Sequence, residues 1–126
     1  MASSFHLNIQ TFRASGSVSK GKGVKFGSDA ETVAQCSATT DKVIGIAQND
    51  AASGELVEVA KPGGGAKGLA EGVIALGDLL GVAATGALQK VAAQHERIIG
   101  VAQAAAVAGD IFGVDVVMAQ ATQAQS

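Results

Sequence analysis

Two stretches of the chain repeat one another without a gap. Residues 42–59 read KVIGIAQNDAASGELVEV, and residues 97–114 read RIIGVAQAAAVAGDIFGV. Lys42 aligns with Arg97, Ile44 with Ile99, and Gly45-Ile46-Ala47-Gln48 with Gly100-Val101-Ala102-Gln103. Gly54-Glu55-Leu56 then aligns with Gly109-Asp110-Ile111, and Val59 with Val114, at a constant spacing of 55 (97 minus 42). A weaker echo precedes each copy: Gly21-Lys22-Gly23-Val24 against Gly77-Asp78-Leu79-Leu80. Whatever one half folds into, the other folds into as well.

The repeated unit reads as strand, turn, strand. Val43–Ala47 is rich in β-branched residues, and its glycine permits a close backbone approach or a bulge. The links 49–53 and 104–108 each run into a glycine that can take positive φ. Alternation then resumes. Val57 and Val59 share one face, while Leu56, Glu58 and Ala60 share the other. Phe112, Val114, Val116 and Met118 line up at period two, and Asp115 faces the opposite way, toward solvent or an interface. Strands are predicted near 23–27, 31–36, 42–48 and 55–60, then near 78–83, 87–92, 97–103 and 110–118. Gly-rich turns recur at about 8–12 residues, the spacing of a sandwich or barrel. A helix competes only at Leu69–Leu80 and Ala104–Ala108. Gly72 and Gly77 cost the first about 1 kcal/mol each, and the second is shorter than two turns. The expected fold is all-β: a small β-barrel or jelly-roll-like body of two similar halves with an extended N-terminal arm.

The organisation follows. Residues 1–14 form the arm, 15–118 the barrel body, and 119–126 a mobile tail of Gln, Ala, Thr and Ser. Within the body the halves fall at about 15–60 and 70–118, joined by an exposed Gly-rich connector at 61–68. In the arm, Phe5, Leu7, Ile9 and Phe12 alternate, or nearly so, with polar residues. That pattern fits a first strand completing the barrel, or an arm that adds a strand to a neighbouring molecule. The four side chains are the candidate partner contacts.

Composition narrows the function. The 126 residues are 48% apolar but only 3% aromatic, with four Phe and neither Trp nor Tyr. A core built of small side chains gains little per residue, so contact with partners is expected to supply part of the stability. A formal charge of −2 with no basic stripe speaks against nucleic acid as a partner. The lone Cys36 cannot form an internal disulfide, suits a reducing compartment, and reads as a small buried or half-buried strand residue. No secretory signal precedes the body. The most apolar stretch, Gly68–Ala84, is broken by Glu71, Gly72, Gly77, Asp78 and Gly81, so no membrane span is expected.

No constellation carries chemistry. Gly16–Gly23, GSVSKGKG, falls one residue short of a phosphate-binding loop, with Gly23 where a Mg²⁺-holding hydroxyl is needed. Gly63-x-Gly65-x-x-Gly68 matches a dinucleotide fingerprint by letter alone, without the βαβ context. His6 and His95 are far apart in sequence and belong to no metal-ligand spacing. Glu55, Glu58, Asp110 and Asp115 sit at strand or turn positions that solvent reaches. The expectation is no catalytic residue, no cofactor, no metal, and no enzyme.

The order of the motifs resembles the capsid cement, or head decoration, proteins of tailed bacteriophages. Val18 to Val24 fits V-x-x-G-x-x-V, and Ile44–Ala60 fits an I-G-[IV]-A strand, a loop and an [AS]-G-[ED] strand. Ala70–Asp78 fits A-x-G-x-x-[IL]-x-x-G-D, after which Ile99–Ala102 and Ala108–Asp110 repeat the earlier signatures. The resemblance covers about residues 15–118. Sequences of this kind also carry the label of a RecA/RadA-type recombinase, which the missing hydroxyl and the small size argue against. The resemblance implies a structural protein on the outer capsid surface of a virion assembled in the bacterial host cytoplasm. It implies the major capsid protein as partner, together with further copies of the chain, a trimer being favoured over a dimer. The protein would staple neighbouring capsid subunits around packed DNA. The alternative is a phage DNA-binding or recombination accessory protein.

Overall fold

A computed structural model describes residues 8–91 and 97–120, with the backbone alone for 118–120. Strands β1 (Ile9–Ala14), β2 (Gly23–Phe26), β3 (Thr32–Gln35), β4 (Gly45–Ala47) and β5 (Leu56–Ala60) close into a barrel in the order β1-β3-β2-β4-β5. A second five-stranded sheet is built from β6 (Gly65–Leu69), β7 (Leu79–Val82), β8 (Leu88–Lys90), β9 (Arg97–Ala102) and β10 (Ile111–Gln120). Its order is β6-β10-β9-β7-β8. No helix occurs among the described residues. Short alternating segments punctuated by glycine leave no helical period long enough to nucleate.

The second sheet repeats the first, pair by pair. Val24 sits opposite Gly45 as Leu80 sits opposite Gly100. Arg13 sits opposite Leu56 as Leu69 sits opposite Ile111. The parallel closure of Ala14 on Val33 survives in the second sheet as a single bridge, Ala70 on Leu88. Turn hydrogen bonds repeat too. Gly21 and Gly77 each donate N–H to an alanine carbonyl, Ala47 and Ala102, at 2.8 Å. The spacing is 56 up to β2 and β7 (80 minus 24) and 55 from β3 and β8 onward (88 minus 33). The first hairpin is one residue longer.

Three expectations need correction. The connector was placed at 61–68, but Gly65–Leu69 is β6, the counterpart of β1, paired along β10 with Ala66 and Gly68 buried. Its glycines hide it. A Cβ at Gly68 would lie 2.5 Å from a Leu88 methyl, so the close approach demands a residue of low strand propensity. The arm was drawn to residue 14, but residues 9–14 are a barrel strand paired along β5. The tail was drawn from residue 119, but Ala119 and Gln120 still belong to β10; residues 121–126 lie outside the described residues. The first half also wraps its own core. Phe12, Val24, Val33, Val57 and Val59 fill the first barrel.

A larger cluster fuses the two halves, joining Cys36, Val43, Ile46 and Ala60 to Val82, Leu88, Ile99 and Val114. Glycines allow this joint. A Cβ on Gly23 would meet Val82 at 2.4 Å, and one on Gly86 would meet the Cys36 carbonyl at 2.8 Å. Gly23 donates N–H to the Gly86 carbonyl at 2.8 Å and Leu69 to that of Gly21 at 2.9 Å. The Gln48 amide bonds both backbone groups of Lys67, donating to its carbonyl and accepting its N–H, each at 3.2 Å.

Candidate docking surface

Of the four residues singled out in the arm, the two that are described, Ile9 and Phe12, do not share one face. Phe5 and Leu7 lie outside the described residues. Ile9 is 37% exposed on the outside of β1, whereas Phe12 is 3% exposed, three residues on and therefore on the opposite face. The Phe12 ring packs edge-on against Phe26, with centroids 6.1 Å apart. Phe12 is a core residue, and its burial removes it from the set open to a partner.

The exposed apolar surface lies elsewhere. Val73 is 80% exposed, Leu76 71%, Val107 56% and Ile111 49%. Two turns bring them to one end of the second barrel: Ile74 and Ala106 exchange backbone hydrogen bonds at 2.9 Å, with Val73, Leu76 and Val107 beside them. The turns are rigid. Ala75 and Val107 donate N–H to the carboxylates of Asp78 (2.8 Å) and Asp110 (3.0 Å). Asp78 and Asp110 return their own N–H to the carbonyls of Ala75 and Val107. Gly77 and Gly109 occupy the positive-φ corners at 87° and 89°. Glu55 does the same for Ala52 in the first barrel. Of the four carboxylates that the sequence leaves to solvent, Glu55 and Asp110 are therefore turn locks.

Residues at the matching positions of the first barrel are Ser17, Lys20, Ala52 and Leu56. Leu56 is itself 58% exposed, so the two halves differ at Ser17, Lys20 and Ala52, which are polar or small where the second half has Val73, Leu76 and Val107. The fold does not require the apolar side chains. This surface was not predicted, although aligning Ser17–Lys22 with Val73–Asp78 exposes it.

The remaining polar groups are accounted for locally. Burial alone would raise Asp41, but N–H from Ser37, the Lys25 ammonium at 3.0 Å and N–H from Ala38 hold its carboxyl below the ordinary range. Burial first, then the Asp41 charge, pushes the Cys36 thiol up to about 12 against the pull of Lys25. The phosphate-loop look-alike Gly16–Gly23 is a bridge at Val18, a turn at Gly21 and the start of β2. His6 and His95 lie outside the described residues. No cluster of three or more His, Cys, Asp or Glu suited to a metal ion occurs among the described residues.

Two open grooves flank the first barrel. One, of about 570 Å³, runs past Lys25, Phe26, Asp41, Lys42, Ile44 and Arg97. The other, of about 420 Å³, runs between β1 and the β2–β3 turn, past Thr11, Arg13, Asp29, Glu31 and Leu56.

Fold and surface together define an all-β protein of two similar halves, a closed barrel and a second sheet, whose distinctive feature is an apolar end held on locked turns. The chain belongs to the phage cement protein family, whose model matches residues 4–120. Among solved structures, it is similar to the head fiber gp8.5 N base of bacteriophage phi29. The TM-score is 0.65 at 18% identity, over 87% of this chain and 93% of that one. That similarity is one of fold. A search among curated proteins returns no match. The family is a structural one of the phage head, and it associates the chain with the capsid.

Proposed function

We propose that the chain binds the outer surface of an assembled phage head and holds neighbouring major capsid subunits together. The apolar end at Val73, Leu76, Val107 and Ile111 is the main contact. One observation carries this reading: those positions are polar or small in three of the four equivalents on the first barrel, yet apolar and open here. Solvent-exposed Val and Leu at turn tips contribute nothing to a barrel core. They gain free energy only when another surface covers them. Family membership supports the capsid as that surface. The N-terminal segment adds a second contact through Phe5, Leu7 and Ile9, next to Asn8, whose side-chain N–H bonds the Pro62 carbonyl at 2.8 Å.

The test uses purified heads stripped of the protein and reloaded with it. Covering Val73 and Leu76 is worth about 3 kcal/mol together, so the Val73→Asp/Leu76→Asp double variant should bind more than about a hundredfold more weakly. Its circular dichroism should match that of the unsubstituted chain, since both sites are exposed. Undiminished occupancy would show that this end is not the contact. Deleting residues 2–7 tests the arm separately, and full binding without them would remove the arm from the proposal.

A further inference from the structure

The joint between the two halves of one chain has a second, partly open counterpart. The second barrel seats itself through β6, Val82 and the β7–β8 turn at Thr85 and Gly86. On the first barrel those positions are β1, Phe26 and the β2–β3 turn at Asp29–Glu31. They face outward. Phe26 is 47% exposed, and β1 and the turn line the 420 Å³ groove.

Only part of the backbone in that groove is presented as it is in the filled joint. The Arg13 N–H and the Glu31 carbonyl, counterparts of the Leu69 N–H and the Gly86 carbonyl that the joint uses, are spent on each other at 3.0 Å on the β3 side. Residues of one parity along a strand direct their backbone groups the same way, so Thr11 presents both N–H and C=O to the groove. Its counterpart is Lys67 (67 minus 11 is 56), whose two groups the Gln48 amide engages. The counterpart of Gln48 is Gln103 (103 minus 48 is 55), exposed just past β9.

We propose that a second copy of the chain seats its second barrel in this groove, with Gln103 clasping Thr11 as Gln48 clasps Lys67. Charge favours the same occupant. Gln35 reaches the Thr85 carbonyl at 3.3 Å within the chain. Between chains its counterpart is Lys90, brought to a turn that carries Asp29 and Glu31. Phe26 and Leu79 replace the smaller Val82 and Gly23, so the joint between chains is wider than the joint within one. Such a contact is head-to-tail, and it closes a ring or extends a row according to its rotation. It does not rest on the apolar end's role at the capsid.

Two full-length chains test it, one Thr11→Cys and the other Gln103→Cys, carrying tags of different size and mixed under mild oxidation. The buried Cys36 thiol stays out of the exchange. A disulfide joining the two different chains is expected to dominate. Sedimentation of the unsubstituted chain should show association that Gln103→Ala weakens about tenfold while leaving the fold intact. Disulfides only between like chains, or a monomer persisting up to about 1 mM, would overturn the proposal.

Discussion

Single residues show how the repeated I-G-[IV]-A signature works. Gly45 and Gly100 occupy the same place in the two barrels. A Cβ there would stand 2.5 Å from the Ala60 carbonyl oxygen in one case and 2.4 Å from a Val114 methyl in the other. The glycine was legible as a close approach or a bulge, and the approach is what occurs. Gly100→Ala should destabilise the chain by about 1–3 kcal/mol in urea titrations, because neighbouring backbone must move. Gly54→Ala meets open space but keeps φ at 88°, so strain alone should cost about 1 kcal/mol. Cys36 gives a pH signature. Its folded pKa of about 12 lies above the ordinary thiol range, so the unfolded chain loses its proton first. Stability is full below pH 9 and falls as pH rises toward 12, by up to about 1.4 kcal/mol per unit. Cys36→Ala should flatten that slope in denaturation series at rising pH.

Strands were legible where β-branched residues alternate, and missed where glycine carries the register. The eight strands from β2 to β5 and β7 to β10 fall within a few residues of expectation, because Val, Ile and Leu mark their inward faces. Strand β6 has the sequence Gly-Ala-Lys-Gly-Leu and no such mark. Only the spacing of 56, carried back from Gly77 and Gly21, predicts it from β1. The arm was misjudged for a related reason: Phe5, Leu7 and Ile9 alternate, but Phe12 changes parity and turns inward. Deleting residues 2–13 would therefore remove β1 and open the first barrel, whereas deleting 2–7 should leave the thermal transition in place. Gln48 fastens β6 across the joint. Gln48→Ala should cost about 0.5–1.5 kcal/mol by removing the two exposed hydrogen bonds to the Lys67 backbone. Gln103→Ala should fall within about 0.5 kcal/mol in the same titration.

At the scale of the molecule, the two halves share one apolar cluster, with Cys36, Val43, Ile46 and Ala60 packed among residues of the second barrel. Neither barrel closes that cluster alone, so unfolding should be a single transition. Calorimetric and van't Hoff enthalpies should agree, and two resolved peaks would show that the barrels melt independently. The pairing of the halves was plain in the sequence. That the first half closes into a ring was not, because closure depends on β1, which with β6 is what alternation marks least. Nor was the greasy tip at Val73 and Leu76. Hydropathy ranks such residues with the core, and only their position on a turn sets them apart.

One backbone written twice also supplies its own control. Wherever the two copies differ at matched positions, demands of folding cancel in the comparison, and what is left reflects the surroundings each copy meets. A chain carrying Ser17→Val, Lys20→Leu and Ala52→Val would wear the apolar tip, the proposed capsid contact, on both halves. Offered to purified heads, it should grip from either end and draw particles into clumps visible by light scattering.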